Sequence, residues 1–397
     1  MPGGITSHSR FRIPLDIHED AVCSITRTSD LAALLKATSL IIWDEVPMQN
    51  KYCITAVDRM LNDVCGAGAT AYRFGNIPVV FGGDFAQILP IVRNGNRGAI
   101  VNACIQRSYL WPGFCQLRLT RNMRVISGDG NAEFAKFLSL MSYSPEMRGT
   151  IKLPPFIRRL HSVDSFLDQI FPADLMNGAH LNHESFKGRA ILSFQNDTVS
   201  AFNIGLISKL PGELHVFNAV NSVPENDATP GVEALPAEFL QSLELASLPP
   251  SKLCLKIGAL VILLRNLCPK EGLCKGTRMT ITRLGRSCIG GIISGGVFNG
   301  EFRLLPRINL TTLEGDLPFI LTRRQFPIRL CFAMTVNKSQ GQSLTTAGVD
   351  LRIPAFTHGQ LYVALSRVTS LDGLTLLFSE DNRQGVTENI VYPEVLL

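Results

Sequence analysis

The run Ile77 to Phe81, followed by Gly82-Gly83-Asp84-Phe85-Ala86-Gln87-Ile88-Leu89-Pro90, constrains the fold more than any other stretch of the chain. A short apolar run bounded by turn residues is the pattern of a strand in a buried parallel sheet. A glycine pair at its carboxyl end permits a tight turn, and the carboxyl edge of an open α/β sheet is where ligands bind. From that edge Asp84 and Gln87 reach a phosphate, a metal-bound water or a substrate strand. A Gly-Gly turn carrying solvated polar residues has the same local pattern, so this segment alone leaves both readings open.

Two further segments narrow the choice. Upstream, Leu40-Ile41-Ile42-Trp43 is a second short apolar run, and it ends in Asp44-Glu45. In nucleotide hydrolases the first such acid holds Mg²⁺ and the second positions or deprotonates the attacking water. Acids also commonly begin the loop or helix after a strand. Ile54, Val57, Leu61 and Val64 then keep the spacing of one apolar helical face, which predicts a strand-loop-helix unit. Downstream, Leu330 to Val336 leads into Asn337-Lys338-Ser339-Gln340-Gly341-Gln342-Ser343, a polar loop suited to phosphate or a nucleic-acid backbone. Beyond it, Leu361, Ala364, Leu365 and Val368 predict a buried helical face with Arg367 beside it, where an ordinary surface cation is the alternative.

Taken in order, these segments resemble the motor motifs of the PIF-type (petite integration frequency) 5′-to-3′ DNA helicases. The variant they resemble is the set found in fungi and plants and in Helitron transposon proteins. Gly4-Ile5-Thr6-Ser7-His8-Ser9-Arg10-Phe11 is similar to the family's first single-strand-contacting motif, and Trp43-Asp44-Glu45 to its Mg²⁺ motif. Gly82 to Pro90 resembles the phosphate-sensing motif, and Leu119 to Arg124 the motif carrying one of two phosphate-contacting arginines. Thr335 to Ser343 and Tyr362 to Thr369 are similar to the last two motifs.

The resemblance implies two RecA-like parallel-sheet α/β domains with a small SH3-like β-barrel inserted in the second. It implies ATP and Mg²⁺ as cofactors, with Asp44 on the metal, Glu45 activating water and Gln87 sensing the γ-phosphate. Arg124 and Arg367 neutralise developing charge, and Asp84 and Gly341 complete the nucleotide contacts. His8, Ser9, Lys338, Ser339 and Gln340 are expected to contact DNA or couple it to the cleft. The expected organisation is a first domain over 1–188, with a hairpin or wedge near 14–36. The second domain is expected over 189–265 and 326–397, with the barrel at 266–325.

The chain also departs from the family. No GxxxxGK[ST] phosphate loop occurs in the 397 residues, and in the family that loop lies shortly before the Gly4 segment. An N-terminally truncated chain is therefore expected, one that does not hydrolyse ATP as it stands. A remnant that binds single-stranded DNA without turnover, or a piece of a Helitron-type protein, is the alternative. Ala86 stands where relatives often carry a basic residue.

Composition bears on the partners. Net charge is +5, but residues from Ser251 onward carry +7, so the basic excess is C-terminal. That suits a motor gripping a few phosphates of one strand better than a protein coating duplex. Arg278, Arg283, Arg286, Arg303, Arg323 and Arg324 are candidates for a strand-binding surface, with a solvated basic face equally open. The ten cysteines show no metal-ligand spacing and read as reduced thiols. Expected partners are single-stranded DNA and duplex junctions and not a membrane, a monomer is favoured, and the expected compartment is the nucleus, or the mitochondrion if an N-terminal extension is missing.

Overall fold

A computed structural model describes residues 4–66, 73–120, 123–125, 130–178, 182, 184, 186–223, 235–245, 247–312 and 316–396. Two parallel sheets organise the described residues. In the first, β1 (Ile41–Trp43) pairs with β2 (Val79–Phe81), with Ile42 opposite Val80. The helix α1 (Lys51–Cys65) follows, started by the Asn50 side chain accepting from Tyr52 N at 3.0 Å and ended at Gly66 in the left-handed conformation. Its expected apolar face is real: Ile54, Val57, Leu61 and Val64 are all buried. They pack with Phe11, Ile41, Trp43 and Phe74 in one core, and Trp43 stacks on Phe11 at 5.3 Å.

Only one face of this sheet is covered. Ile42 is 51% and Val80 53% exposed, so these strands are not buried on both sides as their apolar runs suggest. The segment expected as a hairpin or wedge near 14–36 contains no strand, so the hairpin form is excluded. It is irregular chain ending in the helix Asp30–Lys36, and its backbone is tied down by Arg59, which donates to Glu19 O and Ala21 O.

The second sheet is larger and wholly parallel. Its strands are β3 (Arg158–Leu160), β4 (Arg189–Ser193), β5 (Ala333–Thr335), β6 (Thr346–Asp350) and β7 (Leu374–Leu377). They lie in the order β5-β4-β6-β7-β3. Side chains alternate across it: Ala190 and Leu192 meet the helices Asn131–Tyr143 and Gln360–Leu365, while Ile191 meets Val163–Ile170 and Asn196–Lys209. The boundary expected at residue 188 is thus corrected. Helix Asn131–Tyr143 and strand β3 belong to the second unit, because Arg158–Leu160 hydrogen-bonds to Thr375–Leu377 and the helix's Phe134 and Met141 fill that unit's core.

The chain between Asn196–Lys209 and β5 builds an antiparallel insertion. A five-stranded sheet spans Leu260–Leu263 to Ile328–Leu330, and a three-stranded sheet joins Val220–Ser222, Ile308–Thr311 and Thr322–Gln325. Its strands start near His215, well before the expected 266. Arg323, one of the candidate strand-contacting cations, is fully buried here, its guanidinium donating to Asn221 Oδ1 and to the carbonyls of Pro249, Leu240 and Leu243. It ties Leu240, Leu243 and Pro249 together and faces no solvent.

Candidate functional site

The carboxyl edges of β1 and β2 meet in a cross-linked pair of loops. Gly82 N donates to Trp43 O at 2.9 Å and Val46 N donates to Gly82 O at 3.0 Å. A Cβ on Gly83 would fall 2.1 Å from Pro47 Cδ, so only glycine lets the two loops pass. Asp44 and Asp84 are thereby set on adjacent loop ends. The exposed Asp44 carboxylate accepts from Glu45 N at 2.9 Å through Oδ1. Glu45 is in the left-handed region, φ 54° and ψ 36°, which costs a non-glycine residue about 1–2 kcal/mol. Its carboxylate is directed to the second unit, where Gln340 Nε2 donates to Oε2 at 3.4 Å and the side-chain position of Gly341 lies 4.0 Å from Oε1.

Asp84 organises the next turn. Its Oδ1 accepts from Ala86 N at 2.9 Å, its carbonyl from Gln87 N at 3.2 Å, and its Oδ2 from Gln87 Nε2 at 3.5 Å. From the second unit the Tyr362 phenol reaches the same carboxylate; burial first, then the Asp84 charge and hydrogen bond, push its pKa up. Gln87 Oε1 and Gln340 Oε1 are buried acceptors that no side chain or backbone donor reaches. Such orphaned oxygens mark a place for a water or a ligand donor.

Arg367 is 1% exposed, which excludes the surface-cation reading. Its Nε donates to Val363 O at 2.9 Å, its Nη2 to Ser366 Oγ at 2.9 Å and its Nη1 to Gln342 O at 3.4 Å. Burial first, then the neighbouring Arg124 charge, lower its pKa to about 10, while Tyr362, Glu45 and Asp84 act the other way. It remains a cation at neutral pH, buried against neutral oxygens, which is an arrangement an anion relieves. Arg124 Nη1 donates to Ser366 O at 3.2 Å, so both arginines are fixed on the end of one helix. Arg121 and Asn122 of the same motif lie outside the described residues.

The residues expected on DNA separate into two groups. Gln340 turns into the cleft toward Glu45, and Ser339 is fully buried with its hydroxyl donating to Val336 O at 2.7 Å, closing the short helix Val336–Ser339. Lys338 is exposed, and partial desolvation followed by the charges of Arg329 and Lys275 lowers its pKa. His8 and Ser9 sit in the one-turn helix Ser7–Phe11, and burial lowers the His8 pKa. The sequence reading assigned no role to His358, Gly359 or Tyr362. The available signal was an unusual His-Gly-Gln run directly before the apolar helix.

These groups fit the terminal-phosphate end of a magnesium nucleotide. Among the described residues no three His, Cys, Asp or Glu gather into a metal cage. An exposed single carboxylate such as Asp44 suits Mg²⁺, which keeps most of its waters and is shared with phosphates. The buried Arg367, the half-buried Arg124 and an orphaned Gln87 oxygen suit a γ-phosphate and its attacking water. A backbone cradle for the β-phosphate is not supplied by any motif in this sequence.

Fold and cleft together define an α/β protein whose two parallel sheets bring their loop ends to one site. Residues 1–144 match the PIF1-like helicase family model, and residues 238–284 match the 2B domain of DNA helicase Pif1. The ATP-dependent DNA helicase PIF1 of Rattus norvegicus is 33% identical over 198 residues, 47% of this chain and 27% of that protein. The Pif1 of Psychrobacter is 26% identical over 428 residues, covering 95% of this chain and 59% of that protein. Among solved structures, Bacteroides Pif1 bound to ssDNA superposes with TM-score 0.65 at 22% identity, over 94% of this chain and 79% of that one. Candida albicans Pif1 gives TM-score 0.61 at 22% identity, over 99% and 84%. Over these segments the chain is similar to PIF1-like helicases. The chain spans about a quarter of the mammalian relatives it matches.

Proposed function

We propose that this chain is the motor portion of an ATP-dependent, PIF-type 5′-to-3′ DNA helicase that steps along single-stranded DNA in genome maintenance. The observation that carries the reading is the meeting of Glu45, Asp84 and Gln87 from one parallel sheet with Gln340, Tyr362 and Arg367 from the other. In this reading Asp44 holds Mg²⁺ with its waters, and Glu45, steered by Gln340, takes the proton of the attacking water. Gln87 orients that water, and Arg124 and Arg367 offset charge on the transferring phosphoryl group. Bound Mg²⁺-ATP would supply the phosphoryl group transferred to water, with ADP as the leaving group. The β-phosphate cradle comes from a segment other than these residues.

The same reading treats the antiparallel insertion as the SH3-like element, the chain as closest in type to the fungal, plant and Helitron-like branch, and the nucleus as its compartment. Forked DNA and ssDNA, which figure in the descriptions of the Pif1 structures, are the proposed partners. Lys338 and the exposed cations Arg283, Arg286 and Arg324 are the proposed strand contacts.

The test is phosphate release with and without a single-stranded oligonucleotide. It is run on the 397-residue chain and on the same chain with a relative's phosphate-loop segment joined before Met1. DNA-stimulated release in the second protein alone supports the reading. The missing phosphate-loop motif favours one rival, a strand-binding remnant without turnover, and absence of release from both proteins would establish it.

A further inference from the structure

Three distant stretches of chain meet at one histidine. His358 is 1% exposed, its Nε2 lies 2.8 Å from Phe85 O, and its Nδ1 accepts from Tyr392 N at 2.8 Å. A backbone N–H can only donate, so Nδ1 carries no proton and Nε2–H donates to the Phe85 carbonyl. The next residue reinforces the contact: Gly359 N donates to Ile390 O at 3.1 Å, and a Cβ on Gly359 would come within 2.5 Å of Ala86 O and 2.7 Å of Gln87 O. The C-terminal stretch is itself fastened to the first unit. Tyr392 and Val395 pack with Leu89, Val101 and Cys104, Arg97 pairs with Glu394 at 2.8 Å, and Gln106 Nε2 donates to Val395 O at 2.6 Å.

We propose that His358 is a positioning residue: from the second unit it sets the Asp84–Gln87 turn through the Phe85 carbonyl, and it anchors the C-terminal segment to that turn through Tyr392. Its catalytic consequence rests on the function proposed above. Gln87 lies two residues from Phe85, and among the described residues its hydrogen bonds go to Asp84, which the second unit also grips through Tyr362. Rotation of the helix Gln360–Leu365 with its sheet therefore carries the turn, and with it the amide that faces the phosphate.

The two hydrogen bonds can be separated chemically. Glutamine at 358 places a donor amide where Nε2 was, and asparagine places an acceptor oxygen where Nδ1 was. Peptide-resolved hydrogen exchange is measured on the full chain, wild type and His358→Ala, His358→Gln and His358→Asn. In His358→Ala, exchange rises about tenfold over both 84–90 and 390–396, the scale of one lost hydrogen bond in each. His358→Gln restores protection over 84–90 alone, and His358→Asn over 390–396 alone. The strands around Ile191 and Val349 stay unchanged. Uniform acceleration in all three variants, or no change at either segment, overturns the proposal.

With a phosphate-loop segment supplied, kcat falls in the Ala and Asn variants and is retained in Gln, with KM within a few-fold throughout. Equal kcat loss in all three overturns the catalytic consequence. Absence of hydrolysis in every protein, wild type included, counts against the proposed function and leaves the exchange result to decide the positioning role.

Discussion

Gln340 reaches across the cleft to Glu45, its Nε2 3.4 Å from Oε2, although 295 residues separate them in the chain. The carboxylate best placed to act on water is thus oriented by the opposite unit, and separation of the units leaves it in its left-handed backbone without that partner. On the proposed mechanism, chemistry and the approach of the two units are coupled through this pair.

Glu45→Gln removes the proposed base and preserves shape. With the phosphate cradle supplied, DNA-stimulated hydrolysis should fall by about 10²–10⁴ while affinity for Mg²⁺-ADP stays within a few-fold. Steady-state turnover and nucleotide titration measure the two quantities. Normal turnover in this variant would remove Glu45 from the mechanism.

Lys338 offers an exposed ammonium among like charges. The chain should bind a single-stranded oligonucleotide with an affinity that falls as salt rises. Lys338→Ala should lower the slope of log K against log salt by about 0.7, the loss of one phosphate contact on a single strand. Fluorescence anisotropy at several salt concentrations reads this directly. An unchanged slope would place the strand elsewhere.

Gly359 has φ +72° and backs onto the carbonyls of Ala86 and Gln87. Gly359→Ala adds left-handed strain of about 1–2 kcal/mol to a backbone clash. Its unfolding midpoint in urea should fall clearly below that of wild type. Equal midpoints would mean the turn and the helix separate freely.

Protonation of His358 sets a pH limit. Burial lowers its pKa below the ordinary 6.5; Asp84, Glu394 and the Phe85 hydrogen bond oppose that shift, and Arg97 assists it. A folded pKa below the unfolded one means the unfolded chain binds the extra proton first. The stability contribution is therefore complete above about pH 6.5 and is lost as pH falls through and below that value, by up to about 1.4 kcal/mol per pH unit. Urea unfolding at pH 7.5 and 5.5 should show this loss in wild type and a smaller one in His358→Gln. Identical pH responses would rule out His358 as the titrating group.

Legibility from sequence followed signal strength. The apolar spacing of Ile54, Val57, Leu61 and Val64, and of Leu361, Ala364 and Leu365, specified two helical faces that are buried as read, whereas Val368, also buried, lies beyond the helix Gln360–Leu365 and bridges to Leu344. Strand β3 was not legible, because Arg158-Arg159-Leu160 is an edge strand whose cations carry no apolar pattern, and this displaced the expected domain boundary. Arg323 was grouped with surface cations because composition cannot distinguish a guanidinium facing solvent from one satisfied by four oxygens inside the insertion. The roles of Gln340 and His358 depend on partners 295 and 273 residues away, a separation over which no local pattern acts.

The central claim is that both units act on one phosphate, and Arg367→Ala tests it most directly. In the chain carrying a relative's phosphate-loop segment, single-turnover phosphate release should fall by about 10³ or more in this variant, while Mg²⁺-ADP affinity changes by no more than a few-fold. Release at the wild-type rate would contradict the account, because Arg367 would then be a buried structural cation and the second unit would play no part in the chemistry.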